Sequence, residues 1–327
     1  MKHLVSRMGS YTLLAGSLLM AACGSDDDKP GSAMAGSGGT STSMGGSGSG
    51  GTSTAATGDI VATAVAAGSF TKLAAALDAA GLTAALKGSG PFTVFAPSDA
   101  AFAAFEAANP GVLASLSKDQ LAAILKYHVV TAKVEAKDLV SGSLVETLNG
   151  ARVAVDLSSG AVVAGSKVTQ ADVMASNGVI HVIDKIMIPP SKDIVATAVA
   201  AGTFTKLAAA LVATGLDKTL QGAGPFTVFA PTDQAFAAFE TQNPGVIASL
   251  TTAQLSNVLL YHVVSGWNAA ADLKDGASVN TALTGKSLKV STTAGVKVND
   301  AKVTTANIVT TNGVIHVIDA VLVPPSN

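Results

Sequence analysis

A single cysteine, Cys23, stands among 327 residues, so no disulfide can form within the chain. Charged residues make up only 13% of it, and no basic run or patch advertises nucleic acid or an anionic bilayer. Beyond residue 58 there is no GxSxG elbow, Walker loop, GxGxxG fingerprint, HExxH helix or CxxC pair. The commonest one-segment signatures of hydrolases, nucleotide-binding enzymes and zinc proteins are thereby missing. Tryptophan occurs once, at Trp267.

What the chain does have is a copy of itself. Residues 59–77, DIVATAVAAGSFTKLAAAL, return at 193–211 with only Ser69 replaced by Thr203. PFTVFAPSDAAFAAFE at 91–106 becomes PFTVFAPTDQAFAAFE at 225–240, and YHVV at 127–130 returns at 261–264. NGVIHVID at 177–184 recurs at 312–319, one position further on than the earlier blocks, so the second copy carries an extra residue in its second half. A unit of this length exceeds any solenoid repeat and can bury its own core, which predicts two globular domains over 59–190 and 193–325.

These blocks resemble the fasciclin domain in three ordered segments, TVFAPSDAAF or TVFAPTDQAF, the Tyr-His pair and the closing GVIHVID strand. The resemblance implies an α+β fold in each copy, a β wedge or sandwich decorated by several helices. It also implies adhesion or extracellular interaction with a surface protein or polysaccharide, without enzymatic activity or cofactor. An envelope glycan- or lipid-binding module is the alternative, and it would require a concave apolar pocket.

Residues 1–22 read as a targeting segment: Lys2 and Arg7 supply positive charge, an apolar run follows, and Ala21-Ala22 precede Cys23. LMAA before the cysteine resembles a lipobox, which implies acylation of Cys23 and a membrane contact through that lipid. Gly24 and Ser25, with no aspartate directly after the cysteine, favour the outer membrane of a bacterial envelope by their resemblance to sorted lipoproteins. Residues 23–58 are Gly, Ser, Thr and Ala with an acidic cluster at 26–28, and are expected to form a disordered tether. Random-coil scaling gives such a tether a span of roughly 30–35 Å.

Local signals place elements within each copy. Asp59 and Asp193 are set to cap helices, as are Ser98 or Asp99 and Thr232 or Asp233. Ser117 with Gln120, and Thr251 with Gln254, form capping boxes. Phe70, Leu73 and Leu77 make an apolar helical stripe. Asn-Gly at 177–178 and 312–313 is the strongest turn signal, since both residues tolerate positive φ. Residues 189–192, Pro-Pro-Ser-Lys, form a short stiff joint that should hold the copies close.

Four of the five histidines recur in matched pairs. His181 and His316 lie on apolar strands without a second ligand at metal spacing, which points to structural roles. Tyr127-His128 and Tyr261-His262 admit two readings, an interaction segment or a brace at a helix-to-strand junction. The copies diverge most just afterwards, TAKVEAKDL at 131–139 facing SGWNAAADL at 265–273. Trp267 is accordingly either a contact anchor or a side chain packed on its own domain.

Overall fold

The computed structural model describes residues 58–325. The targeting segment, Cys23 and the expected tether before Gly58 lie outside the described residues.

In the first copy, helices α1 (Ile60–Ala66), α2 (Thr71–Ala80) and α3 (Thr83–Leu86) precede strand β1 (Phe92–Pro97). Helices α4 (Asp99–Ala108), α5 (Val112–Ser115) and α6 (Lys118–Tyr127) then lead to β2 (Val129–Val130). A 3-10 turn at Ala136–Asp138 is followed by β3 (Leu144–Glu146), β4 (Arg152–Asp156), β5 (Val162–Val163), β6 (Ser166–Ala175) and β7 (Gly178–Ile183).

The second copy repeats the order with α7 (Ile194–Ala201), α8 (Thr205–Thr214), α9 (Leu216–Leu220), β8 (Phe226–Pro231), α10 (Asp233–Gln242), α11 (Val246–Ser249) and α12 (Thr252–Tyr261). Strands β9 (Val263–Ser265), β10 (Ser278–Asn280), β11 (Ser287–Ser291), β12 (Lys297–Val298), β13 (Ala301–Val309) and β14 (Gly313–Ile318) complete it. The extra residue falls in one hairpin: five residues, 147–151, join β3 to β4, whereas six, 281–286, join β10 to β11.

Every helix of seven or more residues begins where a side chain accepts free first-turn amides. The Asp59 carboxylate accepts from Ala62 N at 2.8 Å and Asp193 from Ala196 N at 2.7 Å, and both capping boxes are formed. Ser98, not Asp99, caps α4. Asp99 reaches across to α2 instead, accepting from Lys72 N at 2.9 Å and from the Thr71 hydroxyl at 2.7 Å. The residue preceding α2 is Phe70, which has no side-chain acceptor of its own. Desolvation opposes the charged form of Asp99, but the Lys72 amide and the amide and hydroxyl of Thr71 outweigh it, and the carboxyl titrates below its ordinary range. Asp233 repeats this role for α8.

The strands of one copy form a seven-stranded strip in the order β2-β1-β7-β6-β5-β4-β3. β1 and β7 run parallel, with Phe92 opposite Gly178 and Phe95 opposite His181, while their outer neighbours are antiparallel. Alternation sends Val94, Ala96, Ile180 and Val182 into a core under α1, α2 and α6. Phe95 and Ile183 face the opposite way, into a second core with Tyr127, Val153, Val155, Val163 and Met187. A strand covered on both sides has no polar face, and β1 and β7 are accordingly apolar apart from Thr93 and His181.

The strip curls around the second core. β6 carries register shifts between Val168 and Val173, and Asp172 there adopts φ 57°. Such bulges sharpen the local bend of a strand. Just beyond β3, Leu148 N donates to Val129 O of β2 at 2.7 Å, which brings the two ends of the strip together.

The turn expected at Asn177-Gly178 is present, but for a different reason. β6 ends at Ala175 and β7 begins at Gly178, and neither Asn177 nor Gly178 has positive φ. Gly178 is required because a Cβ would meet the Phe92 carbonyl oxygen on the adjacent strand. Asn177 is a hub: its Oδ1 accepts from Ile60 N at 2.9 Å, and its Nδ2 donates to Leu86 O at 2.8 Å and Gly88 O at 2.7 Å. One amide thereby ties the start of α1 and the end of α3 to the β6–β7 turn. Next to it, Ser176 N donates to Gly58 O at 2.9 Å, and in the second copy Thr311 N donates to Lys192 O at 3.0 Å.

Candidate functional site

The Tyr-His segment ends α6 and enters β2, and both of its side chains are directed inward. Tyr127 and His128 are 3% and 1% exposed, Tyr261 and His262 both 2%. The Tyr127 hydroxyl donates to Arg152 O at 3.0 Å, and that of Tyr261 to Ser287 O at 3.0 Å. His128 Nδ1 lies 2.8 Å from Ile124 O in the preceding helical turn, while its Nε2 accepts from Met187 N at 2.9 Å. A ring facing a carbonyl through one nitrogen and an N–H through the other is a neutral imidazole with the proton on Nδ1. His262 does the same between Val258 O and Leu322 N. Burial lowers the pKa of both rings to about 4, against a partial opposing effect of the helix carbonyl. The geometry is that of a brace joining the helix, the strip and the segment after the last strand. These four side chains offer no surface to a partner in the folded molecule.

His181 is equally enclosed. Its Nε2 lies 2.8 Å from Val134 O, its Nδ1 accepts from Asp172 N at 3.3 Å, and its ring stacks on Phe95 with centroids 5.5 Å apart. It therefore secures the bulge of β6 and the loop following the Tyr-His segment at once. Asp184, three residues on, accepts instead from Lys167 N at 2.7 Å. His316 repeats these contacts with Asn268 O, Asn307 N and Phe229. Burial lowers its pKa, although the Asn268 carbonyl favours the protonated form. Among the described residues, no group of three or more His, Cys, Asp or Glu is placed to hold a metal ion.

Thr93 acts with His181 on the same loop, and sequence reasoning passed over it. It is fully buried, donates to Ala132 O at 2.6 Å and accepts from Val134 N at 2.8 Å. A hydroxyl in the middle of an apolar strand, repeated at Thr227, was the available signal.

Trp267 meets the other copy. It is half-buried, and the guanidinium of Arg152, from the first copy, lies over its ring at 5.1 Å from the centroid. Beside it, the Gly142 carbonyl of the first copy accepts from Ala271 N at 3.0 Å and from Asn307 Nδ2 at 2.7 Å. The same Asn307 uses Oδ1 to accept from Ala270 N at 3.0 Å, so one side chain shapes its own loop and grips the neighbouring copy. Gly142 has φ +80°, and a Cβ there would lie 3.3 Å from Ala270 Cβ, so the approach favours glycine. Arg152, Gly142 and Asn307 were invisible as a group in the sequence, because their partners sit in the other copy.

A cation over an indole face contributes about 0.5–1 kcal/mol when partly exposed. A double-mutant cycle with Arg152→Ala and Trp267→Ala, read from thermal unfolding, is expected to give a coupling of that order. A coupling indistinguishable from zero would make the stacking incidental.

A model of the fasciclin domain matches the chain twice, over residues 68–189 and 202–324. The chain belongs to the fasciclin domain family. Its fasciclin domains are similar over 246 residues to transforming growth factor-beta-induced protein ig-h3 of Sus scrofa, at 30% identity, covering 74% of this chain and 36% of that protein. Protein sll1483 of Synechocystis is 48% identical over 130 residues, covering 38% of this chain and 72% of the relative. Human periostin is 29% identical, covering 76% of this chain and 30% of its own length. The chain thus spans about a third of the length of these two animal relatives. A solved fasciclin domain pair from the insect cell adhesion molecule Fasciclin I aligns with 21% identity and a TM-score of 0.39, covering 76% of this chain and 92% of that one. Fasciclin domains are found in adhesion and extracellular matrix proteins. Among the described residues, no helix is long and apolar enough to cross a membrane.

Proposed function

We propose that this protein is a non-enzymatic lipoprotein of the bacterial cell envelope, anchored at the outer membrane through Cys23. Its two fasciclin domains mediate adhesion to a surface protein or polysaccharide. The observation carrying this reading is the pairing of a lipobox-like LMAA-Cys23 with two complete fasciclin domains in one chain. The domains supply the interaction module, and lipid on Cys23 keeps it at the envelope. One acyl chain gives only marginal membrane binding, so stable anchoring needs further lipid or a second contact.

A glycan- or lipid-binding role draws less support. The apolar space between α1, α2 and the sheet, lined by Ile60, Leu73, Leu77 and Ile180, amounts to ≈ 10 Å³. That is room for one water at most, far below the hundreds of cubic ångströms of a ligand pocket. The larger depression of ≈ 370 Å³ beside Asp119, Ala122, Lys126, Leu148 and Asn149 is open and half polar, where a concave apolar pocket is required.

Cys23→Ser should move the protein from the membrane fraction to the soluble fraction and abolish any lipid mass on the mature N-terminus. A wild-type protein that is wholly soluble and carries no lipid would overturn the anchor. Adhesion is tested separately, by pull-down from envelope extracts with the intact tandem as bait. Recovery of a defined surface protein or polysaccharide supports the reading, and turnover of a small-molecule substrate would replace it.

A further inference from the structure

The joint between the fasciclin domains is head-to-tail, with different surfaces of the two domains in contact. Domain 1 presents Gly142 and Arg152, whereas domain 2 presents Trp267, Ala271 and Asn307. A heterologous contact of this kind leaves one unused copy of each surface, and nothing in its symmetry stops it from propagating to further molecules. The unused surfaces can be located, because the internal contacts of the domains correspond residue for residue.

Asp172 and Asn307 sit at the same bulge, with φ 57° and 58°, each accepting from the equivalent alanine amide and each donating its own N–H to the equivalent histidine. Arg152 and Ser287 both accept from the equivalent tyrosine hydroxyl. Gly142 N donates to Val155 O, and Gly276 N donates to Val290 O. By the same alignment Lys133 stands where Trp267 does, and Lys137 where Ala271 does.

The backbone needed for a second joint is therefore retained, including a free-standing Gly276 with φ +74° and nothing near its Cβ position. The side chains are not. On domain 1, Asp172 replaces the amide of Asn307, so a carboxylate oxygen would face the Gly276 carbonyl where a donor is required. Two acceptors brought together without a proton lose the hydrogen bond and the hydration of both. Lys133 and Lys137 flank Glu135 at 2.8 Å and 2.9 Å, a charged cluster in place of an indole and an alanine. On domain 2, Ser287 removes the guanidinium.

We propose that these differences confine the head-to-tail joint to a single use, between domain 1 and domain 2 of the same chain, and keep separate copies of this chain from polymerising through it. The determinants are Asp172 and Lys133 on one free face and Ser287 on the other. Discrimination here works by unpaired groups built against the wrong partner, as much as by attraction to the right one.

The test restores the two faces in separate molecules of the full chain, both in a Cys23→Ser background. One variant carries Lys133→Trp with Asp172→Asn, and the other carries Ser287→Arg. Sedimentation velocity is run up to about 1 mM, the local concentration that a short linker gives the joint within one chain. Each variant alone and the wild type are expected to sediment as monomers, and the mixture to approach twice the monomer mass. A mixture that stays monomeric while both variants melt like wild type overturns the proposal, as does head-to-tail association of the wild type. Should Lys133→Trp impair folding, Asp172→Asn with Lys137→Ala takes its place. Asparagine at this bulge is already accommodated at position 307, and the same two outcomes decide.

Discussion

Acidification from pH 7 to pH 4 is expected to remove about 3 kcal/mol of stability from each fasciclin domain through one histidine. His128 and His262 are held neutral when folded, with pKa values lowered to about 4 from an ordinary 6.5. Between those values the unfolded chain binds a proton that the native ring refuses. The contribution is thus complete above pH 6.5, declines as the pH falls, and is gone below pH 4. Protonation would also set a donor against Met187 N or Leu322 N, where the neutral ring accepts. Urea unfolding at pH 7, 5.5 and 4 reads the loss directly. The variant His128→Gln with His262→Gln should start lower and lose markedly less over this range. An unchanged pH slope in that variant would assign the acid sensitivity to other groups.

Asn312→Ala should destabilise domain 2 by about 3–5 kcal/mol, since each buried polar group left without its partner costs about 1–3 kcal/mol. Asn312 is 7% exposed, accepts from Ile194 N at 3.0 Å, and donates to Leu220 O and Gly222 O at 2.8 Å each. Alanine strands one donor and two acceptors at the meeting of two helices and a hairpin. Asn312→Asp separates the contributions, because it keeps the acceptor for Ile194 and loses both donors. If Asp behaves like the wild type at pH 7, the bonds to Leu220 and Gly222 carry nothing. Asn177→Ala should do the same to domain 1, to a smaller extent, because Asn177 is the more exposed of the two.

Signals that act within a few residues were legible before the fold was known. Asp59, Ser98 and Ser117 cap the helices they precede, because a cap depends on the next three residues and little else. Phe95 and Val94 could be assigned to opposite faces from alternation alone. Legibility failed where a side chain serves an element distant in sequence. Asp99 looked like a cap for its own helix and caps α2, across 27 positions. Asn177 stood out for its tolerance of positive φ in a turn, and the turn is there, but it is the amide that the fold uses. Trp267 stood out as a difference between the copies, but its partner Arg152 carried no mark, being an ordinary strand residue until the copies are set side by side.

The contact between Gly58 and Ser176, with its counterpart between Lys192 and Thr311, has a mechanical consequence. In both domains the incoming chain is fastened at the β6–β7 or β13–β14 turn, immediately beside the asparagine that holds the first helix. A pulling force transmitted along the N-terminal chain would not first shear the parallel β1–β7 pair in the middle of the sheet. It would load one backbone hydrogen bond and the Asn177 clasp, peeling α1 outward while the strip beneath it remains closed. A fasciclin domain pulled from its N-terminus would then yield stepwise at a helix and spare the sheet, and Asn177 would set the force of the first step.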